Sequence, residues 1–176
     1  MRILMPKGLK ATSSLIVIGA QVEESAANTF TQQQVDLQLN PLDNEVFVVE
    51  AIDLNLTPPD AVSTASTRIL GSLSSTSRTT IGGLQDSNVL AVARDDIRVD
   101  AAVPANGYAT FSRMSGETPA TTLAYLGIIA TNDFFLLIEG GGNVDRKFCS
   151  AKVYGYRAKA DSAIYAALVQ SEVLTQ

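Results

Sequence analysis

Period-two alternation in short runs constrains this chain more than any other feature. Val35, Leu37 and Leu39 alternate with Asp36, Gln38 and Asn40, the pattern of a strand with one buried face and one wet face. After a turn at Pro41 and Asp43-Asn44, Glu45–Leu56 resumes extension, with Ile52, Leu54 and Leu56 alternating against Asp53 and Asn55. Pro58-Pro59 ends it, because proline cannot donate to a ladder. These two segments are expected to pair antiparallel across their short turn. Further strands are expected at Asn88–Ala93, Ile97–Asp100, Leu123–Ala130 and Phe134–Ile138. A final strand is expected over Ala151–Ala158, where Ala151, Val153 and Gly155 fall on one side, with Lys152, Tyr154, Tyr156 and Ala158 on the other. Asn106-Gly107 favours a tight hairpin turn. Eight or nine short strands with no helices between them cannot build a covered parallel sheet, so an antiparallel sandwich or barrel follows. A short helix closes the chain, with Asp161 as N-cap and Ala163, Ile164, Ala167 and Leu168 on one face.

The composition argues against most catalysis. The 176 residues include no histidine, no tryptophan and one cysteine, which removes the usual general base near neutral pH and the commonest metal ligand. Cys149 has no partner for an intrachain disulfide and reads as a small core residue. Charged residues make up 18%, against about 25% in average soluble proteins, as suits a chain with much buried surface, part of it between subunits. A net charge of −5 lacks the basic footprint of a general nucleic-acid binder. The apolar run Leu15–Ala20 is short for a secretory signal, and no stretch approaches the roughly eighteen apolar residues of a membrane span.

Individual motifs favour ordinary readings. Gly140-Gly141-Gly142-Asn143 lacks the following helix that a phosphate loop needs, so a hairpin connection is expected. Asp95, Asp96 and Asp100 could offer oxygens to calcium, but their spacing matches no EF-hand and Arg94 and Arg98 interleave as ion-pair partners. The Ser/Thr-rich stretch 63–80, with eleven such residues in eighteen, reads as a surface loop around Arg68-Ile69-Leu70. No metal, cofactor or catalytic residue is expected, and no enzymatic activity.

Charge distribution says more. Residues 11–67 hold eight acids and no Lys or Arg, whereas residues 146–159 hold five basic residues and no acid. Either these are two solvated faces, or the last strand pairs with the first one, within a subunit or across an interface, with opposite charges setting register. The candidate interface residues are Asp36, Glu45, Glu50, Asp53, Lys152, Arg157 and Lys159.

An antiparallel sandwich of about eight strands whose first and last strands lie side by side is the jelly roll. In the segments Val35–Leu39, Glu45–Leu56, Val89–Ala93, Leu123–Ala130, Phe134–Ile138 and Ala151–Ala158, the chain resembles the single jelly-roll capsid proteins of icosahedral viruses. The resemblance is one of pattern, over roughly residues 28–159, with residues 1–27 as an N-terminal arm and 160–176 as a C-terminal arm or short helix. It implies a virion protein, assembled in the host cell, that forms an icosahedral shell with copies of itself and other virion proteins. The chain departs from many RNA-virus relatives in having only Arg2, Lys7 and Lys10 where they carry a strongly basic arm. A tail, spike, decoration or fimbrial component, or a carbohydrate-binding sandwich, would share the same strand pattern.

Overall fold

A computed structural model describes residues 6–100, 107–114 and 123–174. Among them run ten strands and one helix: β1 (Leu9–Ala11), β2 (Ile16–Glu23), β3 (Thr31–Asp36), β4 (Glu45–Leu56), β5 (Thr67–Ser74), β6 (Val89–Asp100), β7 (Gly107–Arg113), β8 (Gly127–Ile129), β9 (Asp133–Gly141), β10 (Phe148–Ala160) and α1 (Ser162–Leu174). They form two sheets with antiparallel pairing throughout. Sheet A has the order β10-β4-β8, with β1 and β2 end to end along the other edge of β10; sheet B has the order β3-β9-β5-β6-β7. The pairing is nested: β2 pairs β10, β3 pairs β9, β4 pairs β8 and β5 pairs β6. The chain is therefore one long hairpin wound into two layers.

The alternating residues fill the space between the layers. Phe47, Val49, Ile52 and Leu54 of β4 and Cys149, Ala151 and Val153 of β10 meet Ile69, Leu73, Phe134, Leu136 and Ile138 of sheet B in one core. Fully burying a side chain of this size contributes about 2 kcal/mol. A second, smaller core lies on the outer side of sheet A. There Val46, Val48, Tyr156, Ala158 and Ala160 pack under Ile164, Tyr165, Leu168 and Val169 of α1. This explains the unbroken apolar run Val46–Val49, since both faces of β4 are covered at that point.

A β-bulge separates the two halves of β4. Tyr154 pairs Ala51 and Gly155 pairs Val49, leaving Glu50 without a partner on β10. The extra residue flips which face looks inward, so Phe47 and Val49 precede it in the core while Ile52 and Leu54 follow. Gly155 permits the close approach. A Cβ there would stand 2.3 Å from the Val48 carbonyl oxygen and 2.7 Å from the Phe47 ring.

Five expectations need correction. The Ser/Thr-rich stretch 63–80 is not a surface loop, because Thr67–Ser74 forms β5 in the middle of sheet B with Ile69, Ser72, Leu73 and Ser74 buried. β3 and β4 do not pair but belong to opposite sheets. Leu37 and Leu39 drop into the core as the chain crosses between layers, and the Leu37 N–H donates to the Asn132 carbonyl instead of to a neighbouring strand. A short 3-10 turn at Pro41–Asp43, capped by the Asn40 side chain, redirects the chain. The long strand expected over Leu123–Ala130 is laddered only at Gly127–Ile129, and Leu123 stays exposed. The boundary at residue 28 also moves, because β2 is a full strand of sheet A inside the segment expected as an arm. Ile16, Ile18, Ala20 and Val22 face the core, and the exposed apolar Leu15 and Val17 masked that alternation. Finally, α1 buries Ile164, Tyr165, Leu168 and Val169, while Ala163 and Ala167 remain exposed.

Candidate interaction surfaces

β10 is the centre of sheet A, and the basic segment rides on it. The acidic β4 lies beside it with Lys152 opposite Asp53 and Lys159 opposite Glu45. The bulge divides these charges between two faces. Asp53 and Lys152 point outward. Glu45, Arg157 and Lys159 point inward at the end of the sandwich, where residues 37–44 cross between sheets. There Arg157 lies 3.8 Å from Glu45 and donates from Nη2 to the Leu37 carbonyl at 3.0 Å, while Lys159 reaches Asp43 at 3.2 Å. Asp36 stands apart on β3, opposite Asp133, and accepts a bond from the Gln38 N–H. Glu50 occupies the bulge. Burial raises the phenol pKa of nearby Tyr156, and the Glu50 charge adds to that.

The outer face of sheet A is covered only in part. α1 lies over Val46, Val48, Ala158 and Ala160. Beyond the bulge no helix among the described residues covers it, and an open groove of about 550 Å³ is lined by Gly19, Gln21, Asp53, Asn55, Ser150 and Lys152. α1 is pinned at its far end by Glu172, a buried carboxylate that accepts from the Ala130 and Thr131 N–H groups at 3.2 and 2.9 Å. Burial raises its pKa against those hydrogen bonds.

The sequence hid a second polar assembly at the opposite end of the sandwich. Glu24, only 1% exposed, accepts from the N–H groups of Gly140 (2.7 Å), Thr29 (3.1 Å) and Lys147 (3.0 Å). Asn143 receives the Asp60 N–H at 3.0 Å and donates to the Arg68 carbonyl at 2.9 Å, while Asn28 brackets its backbone. The Lys147 ammonium, its side chain 7% exposed, bonds to Asp60. Asp60 also accepts from the Val144 and Asp145 N–H groups. The Lys147 hydrogen bond first, and the Asp145 N–H after it, hold the Asp60 carboxyl below its usual range. This network locks three loops together, those joining β2 to β3, β4 to β5 and β9 to β10. Nothing local announced it, because Glu24 and Lys147 each adjoin a residue of like charge; of the four, Arg146 and Glu23 meet at the surface, 3.4 Å apart and half-exposed.

Asp95 and Asp96 point to opposite faces of β6. Asp96 is bound by Arg94. Among the described residues no group of three or more acidic or thiol side chains gathers as a metal ion would require, and no helix is long and apolar enough to cross a membrane. No known protein family matches the chain, and no curated protein matches it.

Proposed function

We propose that the protein is a structural subunit of jelly-roll type that self-assembles into the icosahedral shell of a virion. The observation that carries this reading is the nested strand pairing. A single long hairpin rolled into two sheets, first strand beside last, is the jelly-roll arrangement found in capsid and lectin domains.

Exposed surface supports assembly over a free-standing module. The β6–β7 hairpin exposes aromatic side chains on opposite faces, with Tyr108 75% and Phe111 58% exposed. An isolated two-stranded hairpin is marginal in water, and apolar surface of this kind is normally covered by a partner. A groove of about 500 Å³ under the hairpin, lined by Val62, Ile97, Val99 and Tyr108, and the bare half of sheet A with Asp53 and Lys152 are the surfaces assigned to neighbouring copies. No catalytic role is assigned.

Light scattering coupled to size-exclusion chromatography, followed by negative-stain microscopy, tests the proposal. Closed particles far above the 18.6 kDa of one chain are expected. A strict monomer across salt and protein concentration would overturn it.

A further inference from the structure

The last strand of sheet B is left uncovered by its own chain. β7 pairs with β6 on one side, and no strand among the described residues pairs with its other side. Every residue from Tyr108 to Ser112 is exposed. An edge strand offers its free N–H and C=O groups to any second strand that meets it, since every other residue directs both groups outward. Edges that stay single are usually blunted by lysine, proline or a bulge. Gly107–Arg113 has neither lysine nor proline, keeps an unbroken register on β6, and carries its one charge at its end. The other edges differ. β2 already packs Ile16, Ile18 and Val22 against the core, β8 has three residues, and β3 is half glutamine.

The strand is also complementary to itself. Tyr108, Thr110 and Ser112 lie on the face of Ile97 and Val99; Ala109, Phe111 and Arg113 lie on the opposite face, with Asp96 and Asp100. Residues opposed across a ladder share a face, so a second copy must keep the two faces in step. A two-fold axis at Thr110 does this while overlapping all seven residues of the strand. Phe111 then falls opposite Ala109 of the partner subunit, Tyr108 opposite the partner's Ser112, and Arg113 opposite the partner's Gly107. Each large side chain meets a small one. The outer face of sheet B carries Arg68, Arg94, Arg98 and Arg113 with Asp96 and Asp100 among them. Asp100 stands directly behind Gly107, so the row that ends on one copy's carboxylate ends on the other's arginine, twice by symmetry. On the inner side, the apolar groove at Val62, Ile97, Val99 and Thr110 runs on into its symmetry mate.

We propose that two copies of this chain join through β7, antiparallel about Thr110, so that two five-stranded sheets become one continuous sheet. This contact rests on the proposed self-assembly and specifies one of its interfaces. A two-fold contact uses the same patch on both subunits, which a self-complementary strand satisfies. An extended segment of an unrelated protein would gain the ladder but not the matched sizes and charges.

Thiol cross-linking of the full chain reads the register directly. Thr110→Cys should join two subunits through a short bis-maleimide, because Cβ atoms opposed in a ladder lie about 5 Å apart. Tyr108→Cys alone should not, since each Tyr108 would stand about 14 Å along the ladder from its mate; mixing it with Ser112→Cys should restore the link. Cys149 is buried and gives no background. Thr110→Lys sets like charges opposite each other, and should weaken dimerisation about fivefold or more in sedimentation of dilute subunits. Gln33→Lys on the β3 edge should leave it unchanged. Thermal melts confirm folding; if Thr110→Lys does not fold, the near-isosteric Thr110→Cys and the Tyr108–Ser112 pair decide. Wild-type particles, with no cross-link from Thr110→Cys and normal assembly of Thr110→Lys, overturn this contact and leave self-assembly standing. Equal cross-linking of Thr110→Cys and Tyr108→Cys overturns the register and with it the proposal. A wild type that stays monomeric, its edge left to a strand of another protein, overturns both this contact and the assembly it belongs to.

Discussion

Asp60 and Lys147 should contribute unequally although they bond to each other. Asp60→Ala leaves the Lys147 ammonium, with its side chain 7% exposed, without its carboxylate, and strips an acceptor from the Val144 and Asp145 N–H groups. Removing one partner of a buried pair typically costs about 3–5 kcal/mol. The Asp60 side chain is 24% exposed, so water reaches the site and the lower end, about 3 kcal/mol, is expected. Lys147→Met is milder. It keeps the aliphatic stem, and Asp60 retains two backbone donors and partial hydration, so about 1 kcal/mol is expected. The double variant should then recover about 2 kcal/mol relative to Asp60→Ala, because no charge is left stranded. Urea unfolding of dilute, dissociated subunits gives all four corners of the cycle. The pH dependence has a definite sign. The folded pKa of Asp60 is lowered from 3.8, so its contribution is present above that value and is lost as pH falls through the folded pKa. Equal costs for the two single variants, or a double variant less stable than Asp60→Ala, would refute the reasoning.

Gly155→Ala should destabilise the subunit by about 1–3 kcal/mol, since the added Cβ meets a backbone oxygen at the bulge; a shift in the denaturation midpoint at unchanged slope checks it. Cys149 is fully buried, with burial pushing its thiol up to about 12. Alkylating reagents should therefore label it only on unfolding, and rapid native labelling would contradict its position. Glu172 has its pKa raised above the ordinary 4.5, so its contribution is largest below that value and falls as pH rises through the folded pKa. Glu172→Gln cannot ionise, so the stability difference between wild type and variant should drift against the wild type over that window; a pH-independent difference would contradict the assignment.

Much of the strand content was legible because alternation records a boundary between water and core. Glu45–Leu56 was read with its observed ends, and Ala151, Val153 and Gly155 face the core as their spacing indicated. The two faces of α1 and the ends of β8 were not legible, since exposed Ala163, Ala167 and Leu123 look as apolar locally as buried residues do. The sandwich was implied by strand length and turn chemistry. Which strands pair was not, because a ladder forms between backbones that any sequence supplies, over separations that local pattern cannot report. Thus Val35–Leu39 and Glu45–Leu56 look like hairpin partners, yet the need to bury Leu37 and Leu39 sends them into opposite sheets. Charge follows the same division. The sequence alone established that acids gather early and bases late; the bulge at Glu50 decided which of them point outward. Only the tertiary structure buried Glu24 and Lys147 beside loops from elsewhere in the chain and gathered Arg68, Arg94, Arg98 and Arg113 on one face. Electrostatic interactions depend on distance through space, which for residues this far apart in the chain is set by the fold.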